Sequence, residues 1–316
     1  MPHLRRTALP SLAVAVAFLF GCPIHAWASA RAWVGNQMPA ANPRLQDSTA
    51  PESAAATSPA LQGIAHIAIR VKDVAASVGF YHKLGFDQPF TIKSADNVTV
   101  TVIKVNDRQF IEIFPPDSGA PGIVHFCFEG KDLNALHNAY ASAGLSPAAI
   151  RTSGAGNLLF TMPVSAEGSA PLNLEFTQYL PGSLHSRDTG QHLGPDRVGD
   201  KIIAVALAAQ DPAAIRSFHL DKLGFHPSAA NTARLDLPGA SGQAVELVPA
   251  AELGARASIL LSTSDIDKAA AQLTRQQVAF QRAASNSTDA AGHTHTVDMI
   301  AVTDPDGNIL RIAQAK

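Results

Sequence analysis

"IAHIAIRVKDVAASVGFYHKLGF" runs from Ile64 to Phe86, and its two halves keep different periods. In the first half, alternation puts Ala65, Ile67, Ile69 and Val71 on one side. Ile64, His66, Ala68 and Arg70 fall on the other. That is a strand with one apolar face and one face carrying a histidine and an arginine. In the second half Asp73 stands where a helix N-cap belongs, and Gly85 closes a helix over "VAASVGFYHKLG".

Three more strands follow, "FDQPFTIK", "NVTVTVIKV" and "RQFIEIF", so the order is βαβββ. The order restarts at "IVHFCFEG" with helix "DLNALHNAYASAG" and strands at "LSPAAIRT", "NLLFTMPV" and "LNLEFTQ". It restarts again at "KIIAVALAAQD" with helix "PAAIRSFHLDKLG" and strands that include "AVELVP". A fourth copy opens at "ASILLSTSD", continues through "IDKAAAQLTRQQ", and ends in "HTHTVDMIAVTDPDGNILRIAQ". A repeat of roughly 55–60 residues outweighs any single motif as evidence of fold. "SVGFYHKLGF" against "IRSFHLDKLGF" is its clearest internal match. The modules group as two pairs, 61–180 and 201–316. The polar, Gly/Pro-rich stretch 181–200 lies between them as an inter-domain loop.

The chain has 316 residues and a formal net charge of −2. That length suits about two domains. The near-neutral charge, without a basic run beyond the N-terminus, argues against nucleic acid as a partner. The first 30 residues read as an export signal: "MPHLRR" is a basic start, "LPSLAVAVAFLFG" an apolar core too short to span a bilayer, and "HAWASA" offers cleavage after Ala28 or Ala30. The expected location is periplasmic or secreted, with no transmembrane span. Cys22 after "LFG" makes a poor lipoprotein box, because Phe20 is bulky, and Arg5-Arg6 only faintly suggests a twin-arginine signal. Residues 31–60 lack apolar periodicity and read as a disordered linker. Only Cys22 and Cys127 are present, so the mature chain is expected to rely on its core rather than on disulfides.

Paired βαβββ modules with a helix reading "FYHKLGF" resemble the vicinal oxygen chelate superfamily, which includes glyoxalase I, extradiol dioxygenases, methylmalonyl-CoA epimerase and the bleomycin-resistance proteins. The resemblance covers nearly everything from about residue 62 onward. It implies an α+β fold in which four tandem modules form two paired half-barrels, the first and last strand of each module aiming ligands into a cleft.

It also implies a metal held by His66, Glu112, His125 and Glu175, the His/Glu/His/Glu set of bacterial-type glyoxalase I. The residues support this independently. Each lies on the side of its strand opposite the apolar neighbours: Ile111 and Ile113 flank Glu112, Val124 and Phe126 flank His125, Leu174 and Phe176 flank Glu175. A glutamate turned into a sheet interior is costly unless paired or metal-bound. Imidazole with carboxylate suits Zn²⁺, Ni²⁺, Co²⁺, Mn²⁺ or Fe²⁺ without choosing among them. Two open coordination positions would remain for water or substrate. In the second pair the matching places hold Ala204, Glu246, Ser258 and Arg311, which cannot hold a metal, so that half is expected to be degenerate.

By resemblance the metal would chelate two neighbouring oxygens of a small-molecule substrate, with Glu175 as base and Glu112 as the alternative. Arg70, Phe110 and Cys127 share the cleft face as substrate-contact candidates, Arg70 for an anionic group. Pro116 stands where glyoxalase I has an asparagine, which argues against a glutathione-linked substrate. His66, His125 and Glu175 alone would make the 2-His-1-carboxylate triad of an Fe²⁺ extradiol dioxygenase. That family, however, keeps its working half C-terminal, and no acid/base histidine is evident in the sequence. A metal-free sequestering protein is the further alternative. His293 and His295 read as strand edge or loop, His185 and His192 as weak candidates to cap the cleft, and "DPDGN" at 304–308 as a turn. A homodimer with swapped modules is compatible with the superfamily.

Overall fold

The computed structural model describes residues 60–163, 173–229, 231–239, 242–289 and 291–314. The expected signal, its Cys22 and the linker up to residue 59 lie outside the described residues.

The first module comprises β1 (Leu61–Arg70), α1 (Val74–Lys83), β2 (Phe90–Lys93), β3 (Thr99–Lys104) and β4 (Phe110–Phe114). The second comprises β5 (Gly122–Gly130), α2 (Leu133–Ser142), β6 (Arg151–Thr152), β7 (Leu158–Pro163) and β8 (Asn173–Gln178), with the one-turn helix α3 (Leu184–Arg187) after it. The third holds β9 (Lys201–Ala209), α4 (Pro212–Leu223), β10 (His226–Pro227), β11 (Arg234–Asp236) and β12 (Ala244–Pro249), followed by α5 (Ala250–Leu253). The fourth holds β13 (Ser258–Thr263), α6 (Ile266–Arg275), β14 (Phe280–Thr288), β15 (Thr294–Thr303) and β16 (Ile309–Gln314).

Each pair of modules builds one eight-stranded mixed sheet, ordered β2-β3-β4-β1-β5-β8-β7-β6 and β10-β11-β12-β9-β13-β16-β15-β14. Within a module the first strand runs parallel to the last, and the two first strands meet antiparallel at the sheet centre. The expected α+β fold of two paired half-barrels is therefore present.

The same local device starts each module's helix. Asp73, Asp132, Asp211 and Asp265 each accept a backbone N–H from the first turn through their side chains. The outermost strands are shorter than the sequence suggests. "FDQPFTIK" pairs only from Phe90 and "LSPAAIRT" only at Arg151 and Thr152. Pro89 and Pro147 lack the N–H that a longer ladder would need.

The apolar faces of β1, β4, β5 and β8 pack Ile67, Ile69, Ile111, Phe126, Phe128 and Phe176 with Tyr81 of α1 and Tyr140 of α2 into one core. That core continues into the second domain, where Phe225 meets Phe128 at a ring separation of 5.7 Å. Polar ties accompany it. Gln109 receives the N–H of Ile202 at 2.7 Å and donates to the carbonyl of Ile202 at 2.9 Å. Gln243 receives the N–H of Ile64 at 2.5 Å. The "DPDGN" segment is more than a turn: Asp306 accepts the N–H of Lys72 at 3.0 Å, and Tyr81 donates to Asp304 at 3.4 Å.

Segment 181–200 departs most from its reading as a polar connector. It folds inward against the first sheet, burying Ser183, His185, Asp188 and Val198. Lys104, fully buried on β3, anchors it by donating to the Asp188 carboxylate at 2.7 Å and to the carbonyls of Asp188 and Gln191 at 2.6 and 2.7 Å.

Candidate metal centre

The register of the four central strands determines which side chains share a level. Phe110, His66, Cys127 and Glu175 form one row across β4, β1, β5 and β8. Glu112, Ala68, His125 and Asn173 form the next. The rows are related by a pseudo-two-fold axis between β1 and β5, which exchanges His66 with His125 and Glu112 with Glu175. Each module thus supplies one histidine and one glutamate to the same face, and the four converge across the axis.

Their tips meet. His66 Nε2 lies 2.9 Å from His125 Nε2, 3.3 Å from Glu175 and 3.6 Å from Glu112. His125 Nε2 is 3.9 Å from each glutamate. His66, Glu112 and Glu175 are buried, and His125 keeps 13% of its side chain exposed. Burial opposes charge on His66, but Glu112 and Glu175 outweigh it and hold its pKa above the ordinary value. Burial takes His125 down to about 4. Glu175 is opposed by burial yet held at about 2 by His125, His66 and Arg151. Glu112 is pushed up by burial, with His66 opposing and Glu175 adding to the rise.

This donor set fits a divalent cation. Nitrogen and oxygen donors about 2.1 Å from one ion lie about 3.0 Å apart at right angles and about 3.4 Å apart at tetrahedral angles. The observed separations of 2.9–3.9 Å bracket those values. Two ring nitrogens facing each other between two carboxylates are an arrangement a cation relieves, because all four groups otherwise compete for the available protons.

The substrate-contact candidates take different positions. Arg70 lies at the mouth, donating to Ser118 at 2.8 Å and to the carbonyl of Ala120 at 3.2 Å, with its guanidinium 5.9 Å from the Phe114 ring centre. It has no carboxylate partner among the described residues. Cys127 lies on the floor, fully buried. Phe110 is also fully buried, filled in by Phe90, Tyr179 and His185 rather than lining open space.

His185 is the residue the sequence undervalued. Its ring stacks on Tyr179 at 4.8 Å and meets Phe110 edge-on at 4.6 Å. Asn157 accepts the N–H of Leu180 through Oδ1, which turns its amide nitrogen toward His185 Nδ1 at 2.8 Å. Nδ1 is thus the acceptor, and the proton sits on Nε2, which is buried without a partner. Burial, with His66 and Lys104 adding repulsion, takes its pKa down to about 3. Tyr179 was legible, since it continues the alternation Glu175, Thr177, Tyr179. Arg151, whose charge acts on His125 and Glu175, was missed because it stands on a two-residue edge strand.

His192 pairs with Asp188 at 2.5 Å, away from the centre. His293 and His295 do have a carboxylate partner, Asp289, at 3.3 and 2.9 Å, on an exposed hairpin. A polar recess of about 600 Å³ lies elsewhere, at the domain junction, lined by residues that include Asn106, Arg108, Glu129, Arg197 and Gln243.

In the second sheet the equivalent places hold the residues expected from sequence: Glu246 pairs with Ala206 as Glu112 does with Ala68, and Leu260 spans Ala204 and Arg311 as Cys127 spans His66 and Glu175. Glu246 forms ion pairs with Arg311 and with Arg234, the latter at 2.6 Å. Two guanidinium groups supply the positive charge here.

Two tandem sheets of paired βαβββ modules, one bearing four convergent metal-type donors and the other keeping only Glu246 of that set, paired with arginines, define a two-domain chelate-type protein. The chain belongs to the Glyoxalase/Bleomycin resistance protein/Dioxygenase superfamily, whose family model matches residues 63–169 and 201–312. Among solved structures it is similar to the Mn(II)-bound glyoxalase from Novosphingobium aromaticivorans, at 14% identity and a TM-score of 0.61 over 81% of this chain and 82% of that one. It is also similar to the 2,3-dioxygenase LapB from Pseudomonas sp. KL28, at 15% identity and 0.57 over 82% and 93%. A variant of homoprotocatechuate 2,3-dioxygenase from B. fuscum matches at 13% identity and 0.60 over 82% and 73%. No curated protein sequence matches the chain. Among the described residues, no helix is long and apolar enough to cross a membrane.

Proposed function

We propose that the protein is an exported, metal-dependent enzyme of the lyase or isomerase type, acting on a small molecule with two neighbouring oxygens and not on a glutathione conjugate. The convergence of His66, His125, Glu112 and Glu175 carries this reading. Those four would hold one divalent ion, which would supply Lewis-acid polarisation of substrate oxygens. Glu175 is assigned as the base that takes the substrate proton, with Glu112 as its pseudo-symmetric alternative. Arg70, held at the mouth by Ser118 and Ala120, would meet an anionic group of the substrate. Phe114, in contact with both His125 and Arg70, would keep bulk water from the mouth.

The test is metal content of the chain from Arg31 onward, beside a His66→Ala/His125→Ala double variant. About one divalent metal per chain, lost in the folded variant, supports the reading. A folded wild type unable to take up metal sinks it and leaves a metal-free binding protein.

One observation favours a second reading. The neutral imidazole of His185 provides a histidine near the cleft of the kind an extradiol-type dioxygenase needs, beside a His66, His125 and Glu175 triad. Oxygen uptake with catechols by the Fe²⁺-loaded protein separates the two chemistries.

A further inference from the structure

We propose that Cys127 is a fifth donor to this centre, so that the site selects thiophilic divalent metals such as Zn²⁺, Co²⁺ or Cd²⁺ over Mn²⁺. The inference rests on the metal reading above. Cys127 faces His66 directly across the β1–β5 ladder and Glu175 directly across the β5–β8 ladder. Its Sγ, a ring nitrogen of His66 and a carboxylate oxygen of Glu175 all lie within 4.8 Å of one another. A second donor triplet, His66, Glu112 and His125, meets the same limit and shares His66. The thiol therefore belongs to a side-chain cluster already rich in ligands.

The comparison within the chain sharpens this. Each sheet has two floor positions between its four ligand places. They hold Ala68 and Cys127 in the first domain, Ala206 and Leu260 in the second. Three of the four carry hydrocarbon. The single sulfur stands in the domain with the complete donor set, at the floor position between His66 and Glu175. Its Sγ makes a long contact of 3.9 Å to the carbonyl of Phe128 and a side-chain hydrogen bond to Glu175, one of the four donors, so it is turned toward the cluster. On binding, a sulfur–metal bond would form and the thiol proton would leave to solvent. A thiolate beside two imidazoles shifts a mixed site toward softer ions. Without this role Cys127 is simply a small apolar filler.

The experiment compares wild type with Cys127→Ala and Cys127→Ser, each checked for folding by circular dichroism. Proteins are loaded with Co²⁺, Cd²⁺ and Mn²⁺ in turn. The expected result is a near-ultraviolet thiolate-to-metal charge-transfer band in Co²⁺- and Cd²⁺-loaded wild type, absent from both variants. The Cd²⁺-over-Mn²⁺ affinity ratio should fall at least about tenfold in the variants, while Mn²⁺ still binds. Wild type that binds one Co²⁺ per chain without such a band overturns the proposal and leaves the four-ligand reading standing. Wild type that binds none of the three metals overturns both.

Discussion

Gln109 and Gln243 occupy the same place in the two domains, each immediately before the last strand of its module, and each pairs with the first strand of the other domain. Gln109 imitates a strand residue, accepting from and donating to Ile202. It also donates to the carbonyl of Ile64 at 3.2 Å. Gln243 accepts the N–H of Ile64. Removing Gln109 would orphan buried backbone groups on both β1 and β9. Gln109→Ala is expected to cost about 2–4 kcal/mol in chemical denaturation, more than an exposed Gln→Ala change.

The Glu246 carboxyl is held at about 2 by Arg311 and Arg234, against the opposing effect of burial, while its ordinary value is 4.5. A depressed carboxyl pKa contributes stability above the unfolded value and loses it as pH falls toward the folded one. The window is therefore about pH 4.5 down to 2, and the contribution is on the order of 3 kcal/mol. Acid unfolding of Glu246→Gln should lack that steep segment, while the variant is already less stable at neutral pH because two guanidinium groups are left without their partner.

Lys104 buries its ammonium group to hold segment 181–192 on the first sheet. Lys104→Met leaves the buried Asp188 carboxylate with only His192, and should cost about 3 kcal/mol or more. Hydrogen exchange should accelerate first in 181–192, and His185 should gain solvent access. Unchanged exchange there would show that the aromatic contacts of His185 suffice to hold the segment.

Because Glu112 and Glu175 are related by the pseudo-two-fold axis, Glu112→Gln and Glu175→Gln should each weaken metal binding, by comparable factors of about ten or more. They should differ in catalysis. Solvent-deuterium incorporation into substrate should vanish in the variant that lost the base and persist in the other at saturating metal.

Much of the fold was open to reading because its signals are local. Asp73, Asp132, Asp211 and Asp265 recur at the start of each helix, and strand alternation assigned each donor to a face. The place of Ala204 as the counterpart of His66 was legible for the same reason, since that alignment needs only strand period. Arg234 as a partner of Glu246 was not legible, because it comes from a three-residue strand with no alternation to read. Nor was the burial of His185. Nothing in "PGSLHSRDTGQHL" marks which polar residues turn inward, since that is set by Lys104 and Asn157, distant in sequence. Asp289 as the partner of His293 and His295 was missed because hairpin closure, not strand period, brings it to them.

The segment carrying His185 is also the chain that leads into β9. The second domain, with Arg311 in the place of Glu175 and Glu246 kept in the place of Glu112, is joined to the first through this segment. It fixes the far end of a strap whose middle lies across the first domain's interior. With Glu246 alone kept of the four ligand residues, such a domain still sets where the strap begins and ends. The asymmetry of the two halves is then a division of labour within one duplicated plan.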